Sequence, residues 1–295
     1  MLQTDEALQV TKSGQVVTDF SDRTAWDLNL DRATALANER EAFWRDHSKD
    51  ACLAEVRRLA GIRPMADKPA GKSLGSLARE GYTIEKLRIE RAGEPPVPAL
   101  LFLPAARDGK LPAVLYVDGR GKQGAAAPGG PIEALVKEGR AVLAIDMRGV
   151  GETAPAKPRL IGKNEFQLAY LGIHLGRPLL GQRTEDVLAA LEVLLGREEI
   201  DGKQVRLMGI ERGGPVVLHA AALDGRIAEV VVEETVPSWM AVVATPLAEH
   251  QLEQIVAKAL ERYDLPDLIR AIAPRPVEAR NPVDATGKPF EAAGP

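Results

Sequence analysis

The sequence predicts a doubly wound α/β domain, and three observations carry the prediction. Short, continuously apolar segments recur between amphipathic stretches, as in parallel strands buried on both faces under helices. A strand-like run, Gln204-Val205-Arg206-Leu207-Met208, passes through the glycine-rich turn Gly209-Ile210-Glu211-Arg212-Gly213-Gly214 into a helix-like run that begins at Pro215. Two long connections, 150–178 and 236–264, each leave the carboxyl end of a predicted strand, where an open α/β sheet places its ligand crevice.

The elements follow in order. Residues 1–80 are read as an N-terminal helical segment and linker, and 81–295 as the α/β domain. Asp31 to Trp44 and Asp50 to Leu59 have helical spacing, and Gly61 and Pro64 close the second helix. Trp26, Phe43 and Trp44 are expected to anchor this segment on the larger body, and 66–80 reads as a linker. Tyr82 to Ile89 and Val97 to Leu103 predict a pair of hairpin strands. Strands are then expected at Ala113 to Val117, Ala141 to Ile145, Val205 to Met208, Ile227 to Val232 and Pro276 to Ala279. Helices are expected at Ile132 to Glu138, Gly181 to Leu195, Pro215 to Leu223 and Leu265 to Ile272. Leu247 to Tyr263 is read as helical and placed over the site.

Composition narrows the classes. The chain has 295 residues, 45% of them hydrophobic, enough for a sizeable core. A net charge of -4 with scattered Lys and Arg gives no reason to expect nucleic acid or an anionic membrane as partner. Cys52 is the single cysteine, so an intrachain disulfide and a thiolate zinc site are both excluded, and Cys52 is expected to pack under a helix. The first residues lack the pattern of a signal peptide, and the compartment is left open.

The turn at 209–214 has the spacing of a nucleophile elbow, G-x-S-x-G, in which small residues let the chain reverse sharply and push one side chain into a site. Here that side chain is Glu211. Other segments share the pattern: Leu115-Tyr116-Val117-Asp118-Gly119, then Asp146-Met147-Arg148-Gly149-Val150-Gly151-Glu152-Thr153, and Asn281-Pro282-Val283-Asp284. In this order the residues resemble the α/β-hydrolase superfamily, and within it the acetyl-xylan-esterase-like bacterial esterases, over roughly residues 80–290. The chain is also similar to the divergent second domain of a tandem hydrolase.

The resemblance implies an α/β-hydrolase fold, no cofactor, and hydrolysis of a carboxylic ester on an acylated carbohydrate if the site is active. A companion hydrolase domain or a second copy is the implied partner. Esterases of this kind need a nucleophilic hydroxyl, an imidazole, an orienting carboxylate and amide donors for the oxyanion. The resemblance gives Asp284 as the acid, Arg212 as one amide donor and the loop Gly119-Arg120-Gly121 as the second. The serine is replaced by Glu211, and no histidine follows Asp284 in these residues, so the last strand is expected to be missing and that sheet edge covered or paired. His219 is expected to be a packing residue and Ser238 a cap, whereas His174 and His250, on the long connections, are the imidazoles with a path to the crevice.

Glu211 then has four readings. The first is a buried carboxylate held by Arg120, Arg148 or Arg212 in a retired site. The second is a nucleophile of the epoxide or haloalkane hydrolase type, with His174 or His250 activating water. In the third, an active esterase uses a non-standard site. The fourth is a binding domain for a ligand or a hard cation, the cation held by Asp118, Asp146, Glu211 and Asp284, although the intervening arginines favour ion pairing and no metal site is expected. A competing motif, Gly119-Arg120-Gly121-Lys122-Gln123-Gly124 with Asp146 downstream, matches a dinucleotide turn. Ala125 to Pro131 separates it from the next helix, which weighs against a bound pyrophosphate.

Overall fold

The structure, a computed structural model, describes residues 3–20, 23–106, 108–155 and 164–290. Eight strands form one sheet: β1 Ala70–Arg79, β2 Tyr82–Glu90, β3 Val97–Pro104, β4 Leu111–Asp118, β5 Ala141–Ile145, β6 Ile200–Ile210, β7 Glu229–Glu233 and β8 Val277–Arg280. Their spatial order is β1-β2-β3-β5-β4-β6-β7-β8. The first three are antiparallel to their neighbours, and β5, β4, β6, β7 and β8 run parallel. The central strands are buried on both faces, which is why they read as unbroken apolar runs.

The helices are α1 Val16–Phe20, α2 Ala25–Asp46, α3 Lys49–Leu59, α4 Lys122–Ala125, α5 Pro131–Lys137, α6 Asn164–His174, α7 Leu179–Leu195, α8 Gly213–Leu223, α9 Trp239–Val243 and α10 Leu265–Ile272. The apolar core divides at the sheet. One face packs on α7, α8, α10 and the N-terminal helices, the other on α4 and α5.

The N-terminal segment is anchored by polar contacts as well as by apolar burial. Thr24 caps α2 through a reciprocal pair of bonds with Asp27. Along α2, Trp26 Nε1 donates to the Val243 carbonyl at 2.9 Å, Arg40 to Leu260 at 2.9 Å and Trp44 Nε1 to Arg262 at 2.8 Å. Phe43 lies under the Arg262 guanidinium. α3 buries Cys52 and Val56, as expected of its apolar stripe.

Two expectations fail. Residues 66–80 are not a linker throughout, because Ala70–Arg79 is the edge strand β1. Nine of its ten residues are exposed, so no burial alternation marked it in the sequence. Leu247 to Tyr263 is not a helix; only the short 3-10 turns Leu252–Gln254 and Ala259–Glu261 form. The carbonyls of Leu260 and Arg262 go instead to Arg40 and Trp44, so tertiary contacts replace the ladder that a helix would need. Part of the 150–178 connection, 156–163, lies outside the described residues.

Strand register sets the site. Asp118 lies beside Ile210, Ile210 beside Glu233, and Glu233 beside Arg280. The residues that follow, Gly119, Glu211, Glu234 and Asn281, therefore leave the same carboxyl edge side by side.

Candidate active site

Glu211 stands at the apex of the strand–turn–helix, at φ 54°, a left-handed backbone that few residues other than glycine adopt. Its neighbours explain how the turn closes. A Cβ at Gly209 would sit 2.4 Å from Val217, one at Gly213 2.4 Å from the Val117 carbonyl, and one at Gly214 2.0 Å from the Thr235 hydroxyl. The Glu211 amide donates to Glu233 at 2.8 Å, and Thr235 Oγ1 donates to the Glu211 carbonyl at 3.1 Å. The turn is thus fixed from three sides while its side chain stays free to face the crevice.

That side chain is 37% exposed, not a buried carboxylate. Of the three arginines expected to hold it, only Arg212 does, with Nε 3.4 Å from Oε1 and Nη2 3.5 Å from Oε2. Arg212 also donates to the Gly119 carbonyl at 2.9 Å and is ion-paired with Glu165 of α6. Burial works against the Arg212 charge, but Glu165 and Glu211 outweigh it and hold its pKa above the ordinary value. Arg120 instead pairs with Asp118 and Glu234, at 3.0 Å each. Hydrogen bonding to Asp118 is the main cause that raises its pKa. Arg148 is turned away, bonded to Asp186, Glu94 and Gln182 on the α7 side of the sheet.

Of the amides expected to serve an oxyanion, one is unbonded and the others are not. The Arg212 amide makes no hydrogen bond among the described residues and sits against Gly119, close to the Glu211 carboxylate. The loop expected to give the second donor is committed: Gly119 N–H donates to Ile210, Arg120 N–H to Asp118 Oδ1 and Gly121 N–H to the Asp118 carbonyl.

A cleft of about 610 Å³ opens on Glu211, lined by Arg120, Glu234, Asn281, Pro282, Val283 and Pro289. A smaller cavity of about 100 Å³ joins Glu211 and Arg212 to His250, Gln254, Asp284 and Thr286. Asp284 Oδ1 accepts from Thr286 Oγ1 (2.8 Å), Thr286 N–H (2.8 Å) and Lys288 N–H (3.0 Å). These bonds, those of Thr286 foremost, hold its pKa below the usual carboxylate range. His174 is placed elsewhere: it is exposed at the end of α6, edge-on to Tyr170, and lines neither cavity.

His219 is fully buried, with Nδ1 2.7 Å from the Pro215 carbonyl and Nε2 3.0 Å from the Tyr263 hydroxyl, so it packs as expected. Ser238 caps α9 through the Ala241 amide.

The acids weighed as ligands for a hard cation are dispersed among other partners. Asp118 is taken by Arg120 and Asp146 by the buried Lys122 at 2.6 Å, while Asp284 is tied to its own loop. No group of three or more His, Cys, Asp or Glu residues could hold a metal among the described residues. The same Lys122–Asp146 pair removes the acid that a ribose would need, so the dinucleotide reading loses its anchor. No helix among the described residues is long and apolar enough to cross a membrane.

Two residues at the site lay outside the sequence reading, Glu234 and Glu165, and Asn281 stood in the 281–284 motif without a role of its own. Glu234 and Asn281 have φ of 53° and 45° and follow β7 and β8 as Glu211 follows β6. Non-glycine residues in that region carry no sequence mark. Lys122 stands in the glycine motif that matches a dinucleotide turn, and nothing in that pattern marks its buried pairing with Asp146.

Comparison with known proteins agrees with this geometry. The model of the alpha/beta hydrolase fold family matches residues 112–274. A Bacillus subtilis (strain 168) protein named "Putative hydrolase YtaP" is 26% identical over 236 residues, covering 75% of this chain and 76% of that one. A "putative acetyl xylan esterase" from Bacteroides fragilis NCTC 9343 superposes with a TM-score of 0.69 at 18% identity, covering 79% of this chain and 67% of that one. Acetyl Xylan Esterase 1 from Thermoanaerobacterium sp. JW/SL YS485 has a TM-score of 0.58 at 20% identity, covering 82% and 80%. With its β6–α8 turn, its parallel sheet and this family match, the chain belongs to the α/β-hydrolase fold family.

Proposed function

We propose that this chain is an acetyl-xylan-esterase-like hydrolase domain whose nucleophile position has been given over to Glu211, so that its cleft binds an acylated carbohydrate fragment without cleaving it. One observation carries the reading. The Glu211 carboxylate lies against Gly119 beside the unbonded Arg212 amide, where an ester oxygen would gain negative charge during acyl transfer. A charge already held there opposes a second one. The loop amides that would share the load are bonded elsewhere. The carbohydrate ligand is carried over from the names of the structural neighbours, and the cleft of about 610 Å³ has room for a sugar-sized group.

The test is hydrolysis of a p-nitrophenyl acetate panel by the wild type, Glu211→Ser and Glu211→Ala. The expected result is no turnover by the wild type and a measurable gain in Glu211→Ser. Wild-type turnover that Glu211→Ala abolishes would overturn the reading.

A further inference from the structure

A second cleft lies on the face of the sheet that α4 and α5 cover. Leu77 of β1, Ile84 of β2 and Leu100 of β3 form its floor, and α4 with Ala126 and Ala127 forms the facing wall. Strand register puts the floor on one face: Leu77 lies opposite Ile84, Lys86 opposite Leu100, and Arg79 is two residues beyond Leu77. α4 is a single turn of four residues, and the alanines after it are too small to cover the strands. A space of about 420 Å³ remains, and Leu77 is left 48% exposed.

The charges around this space are unevenly matched. At the end near Pro98, which accepts from the Asp146 amide, the buried Lys122 is neutralised by Asp146, at 2.6 Å, and by Glu152. Arg79 stands at the other end, where Tyr82 pairs with Pro104. It is half-buried, and its Nη1 donates to the Tyr82 hydroxyl at 3.1 Å and to the Ala126 carbonyl at 3.2 Å. Both acceptors are neutral, and Arg79 makes no ion pair among the described residues. Glu133 accepts from the same Tyr82 hydroxyl but is itself paired with Lys137. Lys86, exposed on β2, has no ion pair among the described residues either. A guanidinium positioned by neutral groups, with Nε and Nη2 unbonded, keeps its planar fork available for a carboxylate.

We propose that this cleft binds an unbranched medium-chain carboxylate, with its head group on Arg79 and its chain along Leu77, Ile84 and Leu100 toward the stem of Lys86. The strand from Tyr82 to Lys86 spans about 13 Å, the length of an extended chain of that class. The cleft has the form of a small-molecule pocket, mostly apolar with a few polar groups that fix orientation. The cations without acidic partners set the sign of the head group, and the leucine floor sets the need for a chain. The site is separate from the cleft at Glu211 and stands whichever way that cleft is read.

Calorimetric titration of octanoate, octanol and acetate into the wild type, Arg79→Gln, Leu77→Glu and Glu211→Ala tests the proposal. Octanoate is expected to fill one site in the wild type and in Glu211→Ala with equal affinity. It is expected to bind at least tenfold more weakly to Arg79→Gln and to Leu77→Glu. Leu77 is exposed on an edge strand, so its replacement leaves the core intact. Octanol should bind the wild type and Arg79→Gln alike, and acetate should give no saturable binding. No saturable octanoate binding by the wild type, an affinity unchanged in Arg79→Gln, or binding lost in Glu211→Ala would each overturn the proposal. Octanol weakened by Arg79→Gln as much as octanoate, or acetate bound as tightly, would overturn it as well.

Discussion

The Glu211 carboxylate rests against the α-carbon of Gly119: a Cβ built there would lie 2.7 Å from Oε2 and 2.8 Å from the Arg212 amide nitrogen. The glycine therefore makes room for the acid at the tip of the turn and for the amide beside it. Gly119→Ala is expected to cost about 1–3 kcal/mol as an overpacked contact. Part of that cost comes from the glutamate, so the double variant Gly119→Ala/Glu211→Ser should recover some of it. Urea unfolding of the four proteins in this cycle measures the coupling. Strict additivity would mean that the carboxylate does not lie where Gly119 receives it.

The backbone at 211 gives a second prediction. A non-glycine residue at φ 54° is strained by about 1 kcal/mol or more, and glycine removes the strain. Glu211→Gly is expected to unfold at higher urea than Glu211→Ala, despite glycine's greater freedom in the unfolded chain. A lower midpoint for glycine would show that the turn is not held left-handed in solution. Glu234 and Asn281, at φ 53° and 45°, line the same cleft and extend the test to the ends of β7 and β8.

What the sequence disclosed of this molecule follows from where its signals lie. The central strands and α10 were legible because burial imposes an apolar pattern, and α10 was bounded correctly from Leu265 to Ile272. Edge strand β1 was illegible for the opposite reason, being exposed nearly throughout. At the site, the turn around Glu211 was visible because only small residues satisfy it, and Asp284 because it follows a late strand. The Arg148 assignment failed because ion pairing is decided by which loops face each other. The same arginine can reach the crevice or Asp186, and only the packing of α7 chooses. His250 shares its cavity with Asp284 because its neighbours Glu249 and Gln251 both donate to the Ala285 carbonyl, a contact between distant segments that no local pattern encodes.

Arg148 is accordingly a stability residue. Its side chain is 11% exposed and that of Asp186 1%, with Nη2 2.6 Å from Oδ1, and Glu94 closes the cluster at 3.0 Å. Removing Arg148 takes charged hydrogen bonds from the buried Asp186, which keeps Arg91 as a second partner, a loss of about 1.5–3 kcal/mol. Arg148→Met should therefore lower the unfolding free energy by that order. Asp186→Asn/Arg148→Met, which removes both charges, should be less destabilised than the sum of the single variants. A change of about 0.5 kcal/mol or less in Arg148→Met, the range of ordinary surface substitutions, would show that the clamp carries no load.

His219 supplies a pH-dependent prediction. Its Nδ1 faces a carbonyl, which can only accept, so that nitrogen carries the proton and Nε2 accepts from Tyr263. Burial holds the ring's pKa down at about 4, against 6.5 for a free histidine. The unfolded chain thus takes up a proton that the folded one refuses. The neutral ring's advantage is full above pH 6.5, is lost as pH falls from 6.5 toward 4, and has gone below both values. The difference between 6.5 and about 4 corresponds to about 3 kcal/mol. His219→Leu keeps the volume and removes the titration. The stability difference between wild type and this variant should therefore shrink by up to that amount between pH 7 and pH 4. Other carboxylates titrate in the same window in both proteins and cancel in the difference. A gap that stays constant across the range would mean that the ring is protonated in the folded state and hydrated from outside.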